Sequence, residues 1–487
     1  MQLKCNSNTT TTVTMKNAHA QQAFSAFHAH RPNSKLFTMR SRCTMRPHHA
    51  KVVHQQFPTL KKMNTIYPTP TAAAIAGSEG AGFPSTDRFD VLDIHHVEFW
   101  CADAASAAGR FSFGLGLPFA AQSVLTTGNT PHASYVLRSR TGSLAFLFSA
   151  PYARHCADAA AATVPSFSAD TARRFTADYG LAVRALAVRV ADAAEAFSAS
   201  VDAGARPAFP PAELGHGFVM AEVELFGDVV LRFVSYPDGT DVNFIPGFED
   251  AAASSGSPDF GLTRFDHIAG GVPDLASVAS YVAGFTGFHE FSNFTGDKVG
   301  TAESALNGMV LSNNTDTVLL TILEPVHGTK RRSQVQTFLD HHGGPGVQHL
   351  AMASNDLVGT LREIRARSSV GGFELLPPPP PSYYDDVRRL AGDVLSEQQI
   401  KECQELGVLV DRDDHGGVVL QVFTKAAVDR PTLLLEFIQR IECVENQKEY
   451  QRGGYGGFAK GNVNHIFKSI EDYDKSFDTP APAASYI

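Results

Sequence analysis

His267, His349 and Glu436 carry the most chemical content in this chain, and a repeat in the sequence singles them out. The segment DIHHVEFWCADAASAAGRFSFGLGLPF, from Asp93, is echoed by RFDHIAGGVPDLASVASYVAGFTGFHEF, from Arg264. ALAVRVADAAEAFSASVDAGARP, from Ala185, is echoed by HLAMASNDLVGTLREIRARS, from His349, and VVLRFVS, from Val229, by LLLEFIQR, from Leu433. Superposing the halves at these anchors sets His96, Ala185 and Arg232 against His267, His349 and Glu436. Two imidazoles and a carboxylate are a ligand set for a divalent metal with open positions, the facial arrangement of non-haem Fe(II) oxygenases. The first half has no such set, because Ala185 lacks a donor and Arg232 is a cation. A single histidine on a strand is more often a packed or surface residue than a ligand. Glu436 is harder to dismiss, because it lies in an apolar run where a carboxylate needs a partner or a metal. One half therefore reads as catalytic and the other as structural. The adjacent His341 and His342 read as solvated, and His95 as structural.

The elements that must position these groups follow from the same repeat. Each echo begins with an alternating apolar run, continues through a short turn containing Asp, and enters an amphipathic stretch. That pattern predicts strand, helix and further strands, hence an α+β fold of two similar halves, each holding two modules. IPGFEDAAASSGSPDF, near 245–260, is rich in Gly, Ser and Pro and reads as the linker. LPPPPPSYY, from Leu376, is an insertion in the second half alone, and a polyproline spacer or cap is expected there.

Charge and composition narrow the function classes. Residues 1–78 hold no Asp or Glu but ten Lys or Arg, which leaves 31 basic against 50 acidic residues in the remainder. An acidic body repels phosphate backbones, so a nucleic-acid partner is not expected. No run of apolar residues is long enough to span a membrane. Six cysteines in 487 residues, with no CxxC pair, exclude a disulfide scaffold and a thiolate zinc site. The expected organisation is a basic leader at 1–80, one half at 86–250 and the second at 258–475, closed by a C-terminal helix. The leader reads equally as an organelle transit peptide or as an untranslated extension upstream of Met63. The expected location is the cytoplasm, or the plastid if the leader is made.

Over about residues 85 to 475 the chain resembles 4-hydroxyphenylpyruvate dioxygenase in its plant form, through RFDHIAGGV, EPVHGTKRRSQVQTFLDHHGGPGVQHL, GVLVDRDDHGGVVLQVFTK and GGFAKGN. The resemblance implies a vicinal-oxygen-chelate fold of paired βαβββ modules, with Fe(II) held by His267, His349 and Glu436. It implies a small-molecule 2-oxo acid and O2 as partners, with the acid serving as its own reductant, and a homodimer as assembly. Gln334, Gln348, Gln421, Phe423 and Phe458 match residues that line the family's substrate site. Gln348 adjoins His349, so strand alternation turns it to the opposite face, where it acts through the neighbouring layer or by orienting others.

The chain departs from the homogentisate-forming enzymes at five pocket positions. Gly308 stands for Ser, Thr321 for Pro, Leu323 for Asn, Leu434 for Phe and Val463 for Phe. Gly308 and Leu323 thereby lack two polar groups that can hold the phenol end of a substrate, and the two lost phenyl rings at Leu434 and Val463 open space beside its ring. A ring displaced by ~1 Å is enough to change a rate by ~100-fold. The related hydroxymandelate synthases carry Thr, Ile and Ile at the positions of Thr321, Leu323 and Val463. The expectation is therefore benzylic hydroxylation to 4-hydroxymandelate and CO2. The alternatives are homogentisate formation, as in tyrosine catabolism, and a changed substrate such as phenylpyruvate. A glyoxalase-type isomerase or a metal-free binding protein fits the fold, but neither calls for this donor set.

Overall fold

A computed structural model of the chain describes residues 86–476, apart from 141, 154–161, 241–243, 252–257, 413–416, 442–443, 446–447 and 450–459. The leader at 1–80 and Phe458 therefore lie outside the described residues.

The first half runs β1 (Val91–Trp100), α1 (Ala104–Leu115), β2 (Phe119–Ser123), β3 (His132–Arg138), β4 (Ala145–Pro151), α2 (Ala169–Tyr179), β5 (Ala182–Val190), α3 (Ala193–Asp202), β6 (Pro207–Glu213), β7 (Val219–Phe226), β8 (Val229–Ser235) and β9 (Glu249–Asp250). The second half repeats the plan with β10 (Leu262–Gly271), α4 (Leu275–Thr286), β11 (His289–Phe294), β12 (Leu306–Ser312), β13 (Leu319–Pro325), α5 (Gln334–His342), β14 (Gly346–Ser354), α6 (Leu357–Ser368), α7 (Tyr383–Ala391), α8 (Glu397–Leu406), β15 (Leu409–Arg412), β16 (Val418–Phe423), β17 (Leu434–Ile441) and α9 (Lys460–Lys475).

One sheet is ordered β6-β7-β8-β5-β1-β4-β3-β2-β9 and the other β11-β12-β13-β10-β14-β17-β16-β15. Each sheet is two βαβββ modules joined through their first strands, β1 against β5 and β10 against β14, both antiparallel. This is the vicinal-oxygen-chelate architecture.

The four module helices begin alike. Asp103, Asp192, Asp274 and Asp356 cap α1, α3, α4 and α6, each accepting from backbone amides of the first turn. A carboxylate there satisfies donors that a helix leaves open and complements its dipole. Gly116 and Gly287 end α1 and α4 in the left-handed conformation, at φ 67° and 79°. The sheets' apolar residues merge with these helices into one core shared by both halves. Phe146 meets Phe265 across them at 5.2 Å, and Phe111 meets Phe373 at 5.1 Å.

Two expectations change here. The segment starting at Ile245 is not all linker: Phe244, Ile245 and Phe248 are buried in the first half, and Glu249–Asp250 pairs with β2. Turn-forming residues conceal the apolar anchors Ile245 and Phe248 in that stretch, and Phe244 directly precedes it. The insertion is larger than its proline run. It includes α7 and α8, and buried Tyr383 and Tyr384 fasten it to the second half through hydrogen bonds to Val410 and Val408.

Candidate metal centre

β10, β14 and β17 are adjacent in the sheet, and each supplies one donor. His267, His349 and Glu436 are buried, at 5%, 8% and 2% exposure, with ligand atoms within 4.8 Å of one another. Glu436 Oε2 lies 3.2 Å from His267 Nε2 and 3.6 Å from His349 Nε2, and the two Nε2 atoms are 3.2 Å apart. The strand register confirms the sequence superposition. Ala351 pairs with Glu436 as Ala187 pairs with Arg232, and Ala269 pairs with His349 as Glu98 pairs with Ala185.

Each imidazole is oriented from behind. His349 Nδ1 lies 2.5 Å from Gln348 Oε1, and His267 Nδ1 lies 3.2 Å from Asp266 Oδ1. Asp266 is in turn gripped by Arg440, whose Nε and Nη2 donate at 3.0 and 2.7 Å. Such contacts fix ring orientation and turn each Nε2 toward the other donors. Both contacts depend on β-bulges. The β10–β14 register slips between Ala269/Gly270, opposite Gln348, and again between Phe265/His267, at Asp266. A bulge breaks the two-residue alternation. Gln348 therefore faces the cavity beside His349 instead of the opposite layer.

Burial opposes charge on all three groups. It raises Glu436, and together with the charge of His267 it holds His349 well below the usual histidine range. Burial also acts to lower His267, but the carboxylates of Glu436 and Asp266 outweigh it and bring that imidazole up to about 9. A proton on His267 thus supplies the positive charge that the buried carboxylate requires. A divalent cation held by the three donors would supply the same charge. Glu436 Oε2 is buried and has no hydrogen bond of acceptable geometry, as expected of a ligand atom. The donor set fits such an ion.

The first half fills the equivalent place with a guanidinium. Arg232 reaches Glu98 at 2.6 Å, Glu222 at 2.7 Å and His96 at 3.0 Å, all buried. Register sets Glu98 and Glu222 against Ala269 and Phe423 of the second half. The two halves thus solve the same charge problem with an internal cation and with an open donor set.

A cavity opens over the three donors. Gln334, Gln348, Gln421, Phe423, Thr321, Leu323 and Val463 line it. Phe423 stands edge-on to His349 at 5.3 Å. Gly308 and Leu434 stand behind the lining. Leu434 packs with Leu376, Phe423 and Ile470, and the space above Gly308 is taken by Leu323, whose Cδ2 would lie 2.8 Å from an added Cβ. The place of a side chain at Gly308 is thus taken by its own neighbour.

Sequence reading missed Ile466, Phe467 and Ile470, which join Val463 on the wall. Their i, i+3, i+4, i+7 spacing along α9 was the available signal. It also misplaced His342, which is buried and stacked on Tyr179 at 4.7 Å and Phe338 at 5.1 Å, while His341 is exposed. His95 packs among Phe218, Tyr236 and Phe244.

Paired βαβββ modules around a buried two-histidine, one-carboxylate cluster define an oxygenase of the vicinal-oxygen-chelate class. The chain is 65% identical to 4-hydroxyphenylpyruvate dioxygenase of Hordeum vulgare, over 86% of this chain and 99% of that protein. It is 52% identical to the Arabidopsis thaliana enzyme, over 84% of this chain and 95% of that protein. Among solved structures it resembles a variant of 4-hydroxymandelate synthase from Streptomyces coelicolor, with TM-score 0.63, 26% identity, and coverage of 79% of this chain and 99% of that one. No family model matches. The chain belongs to the 4-hydroxyphenylpyruvate dioxygenase family of non-haem iron dioxygenases.

Proposed function

We propose that this chain holds Fe(II) with His267, His349 and Glu436 and converts 4-hydroxyphenylpyruvate and O2 into homogentisate and CO2. The observation that carries this reading is the 65% identity, spanning 99% of the relative, to a 4-hydroxyphenylpyruvate dioxygenase. Bound iron would supply the activation of dioxygen. The protein's own share is positioning. Gln421 Nε2 is a buried donor with no protein partner, two residues along β16 from Phe423 on the same face. It offers a hydrogen bond to an acceptor oxygen of the bound acid. Phe423 limits rotation of the ligand against His349. α9 lines the cavity with the apolar side chains of Val463, Ile466, Phe467 and Ile470. The cytoplasm is the proposed location, with the plastid as alternative if the leader is translated.

Benzylic hydroxylation to 4-hydroxymandelate is the second reading. Its support is that Thr321, Leu323 and Val463 line the cavity. Product analysis of the full chain supplied with Fe(II), ascorbate and 4-hydroxyphenylpyruvate separates the two. Proton NMR showing a 2,5-dihydroxy ring supports the first reading. A para-substituted ring with a carbinol proton replaces it with the second. If the acid is not consumed, both readings fall.

A further inference from the structure

We infer that the Thr321 hydroxyl reads the distal end of the substrate, selecting an aryl 2-oxo acid with a para hydroxyl over its unsubstituted analogue. This rests on the proposal that the cavity binds aryl 2-oxo acids, and it deepens that proposal.

Thr321 lies on β13 opposite Ala269 of β10 and Val310 of β12. Ala269 is two residues beyond His267, so the Thr321 side chain is on the face of the donor cluster. Two residues along and one strand across place its Cα roughly 8 Å from that of His267, from ordinary strand rise and spacing. That matches the reach from the 2-oxo acid end to the far side of an aromatic ring.

Thr321 lines the cavity, is 5% exposed, and its Oγ1 has no hydrogen-bond partner in the protein. Both cross-strand neighbours on its face are alkyl and offer it no hydrogen bond. Valine would fill the same shape without an unmet hydroxyl. The orphaned oxygen therefore points to a polar atom of the ligand.

A second buried atom narrows the ligand's chemistry. Gln334 Oε1, from the first turn of α5, lines the same cavity and is also without a partner. An amide oxygen accepts only, whereas a threonine hydroxyl can donate. A phenolic hydroxyl donates to one and accepts from the other, while an unsubstituted ring leaves both unmet.

The flank around Thr321 provides no substitute. Leu323 occupies the volume above Gly308, where an added Cβ would also come within 3.3 Å of Phe294. Leu306, Leu323 and Val463 complete that wall with alkyl groups. Among the cavity-lining residues of β12 and β13, Thr321 alone has a polar side chain.

The test compares wild type with Thr321→Val and Thr321→Ser in the full chain loaded with Fe(II). Dissociation constants for 4-hydroxyphenylpyruvate and phenylpyruvate are measured by anaerobic calorimetry, and kcat/KM for both by oxygen uptake. The expected wild type favours the hydroxylated acid at least tenfold. Thr321→Val should cut that preference tenfold or more by losing affinity for the hydroxylated acid, and Thr321→Ser should restore most of it. Equal weakening of both acids in Thr321→Val would make the residue merely structural and overturn the inference. An unchanged preference would overturn it too. A wild type that binds the hydroxylated acid but does not discriminate removes this inference and leaves the proposed function standing. If wild type binds neither acid, the proposed function fails first and takes the inference with it.

Discussion

A metal-ligating imidazole performs well only if its second nitrogen is held. Gln348 Oε1, 2.5 Å from His349 Nδ1, fixes the tautomer in which Nε2 points at Glu436. Gln348→Leu keeps the volume and removes the acceptor. Iron affinity, measured by chelator competition without substrate, should fall about 10- to 100-fold while the fold persists. Asp266 does the same for His267, but its bonds to Arg440 make it a poorer probe, because removing the carboxylate strands a buried guanidinium. The three donors were legible because the duplication set them at equivalent anchors of one half, where the other half has Ala185 and Arg232. Their supports were not legible. Gln348 and Asp266 reach their neighbours only through bulges, and one sequence with no partner strand beside it does not reveal where the ladder slips.

At the scale of elements, the first half shows what an unused module does with its centre. Arg232 neutralises Glu98 and Glu222 deep between β1, β7 and β8. Arg232→Met preserves length but leaves two buried carboxylates without their cation. Breaking such a pair from one side costs about 3–5 kcal/mol, which should appear as a lowered urea midpoint. Iron binding in the second half should survive wherever the variant remains folded. Module helices were readable from Asp followed by an Ala-rich amphipathic stretch, because capping is local. The segment at Ile245 was not, because Phe244, Ile245 and Phe248 gain their meaning from a core assembled by distant strands.

The whole molecule carries buried histidines that its unfolded chain would titrate. Burial holds His132 and His342 down to about 4, against 6.5 for a free side chain. Between these values the unfolded chain binds protons that the folded one refuses. Stability is therefore full above about pH 6.5 and falls on acidification, by roughly 3 kcal/mol for each site by pH 4. Thermal melts from pH 7.5 to 4.5 should show this decline. His132→Asn should flatten the acid limb, even though the lost contacts to Asn129 and Ser134 lower stability throughout. A Tm independent of pH over that range would contradict the assignment.

By itself the sequence determined the duplicated modules, the Asp-capped helices, the donor triad and the family, since each depends on residue type, period or spacing along one segment. Tertiary structure alone decided which substituted positions line the cavity. Leu323 fills the gap at Gly308, Leu434 stands behind Phe423, and Thr321 is left with an unmet hydroxyl over the cavity. The reason is physical. Whether a lost side chain opens space depends on what leans into its volume, and whether a hydroxyl is satisfied depends on the strands beside it.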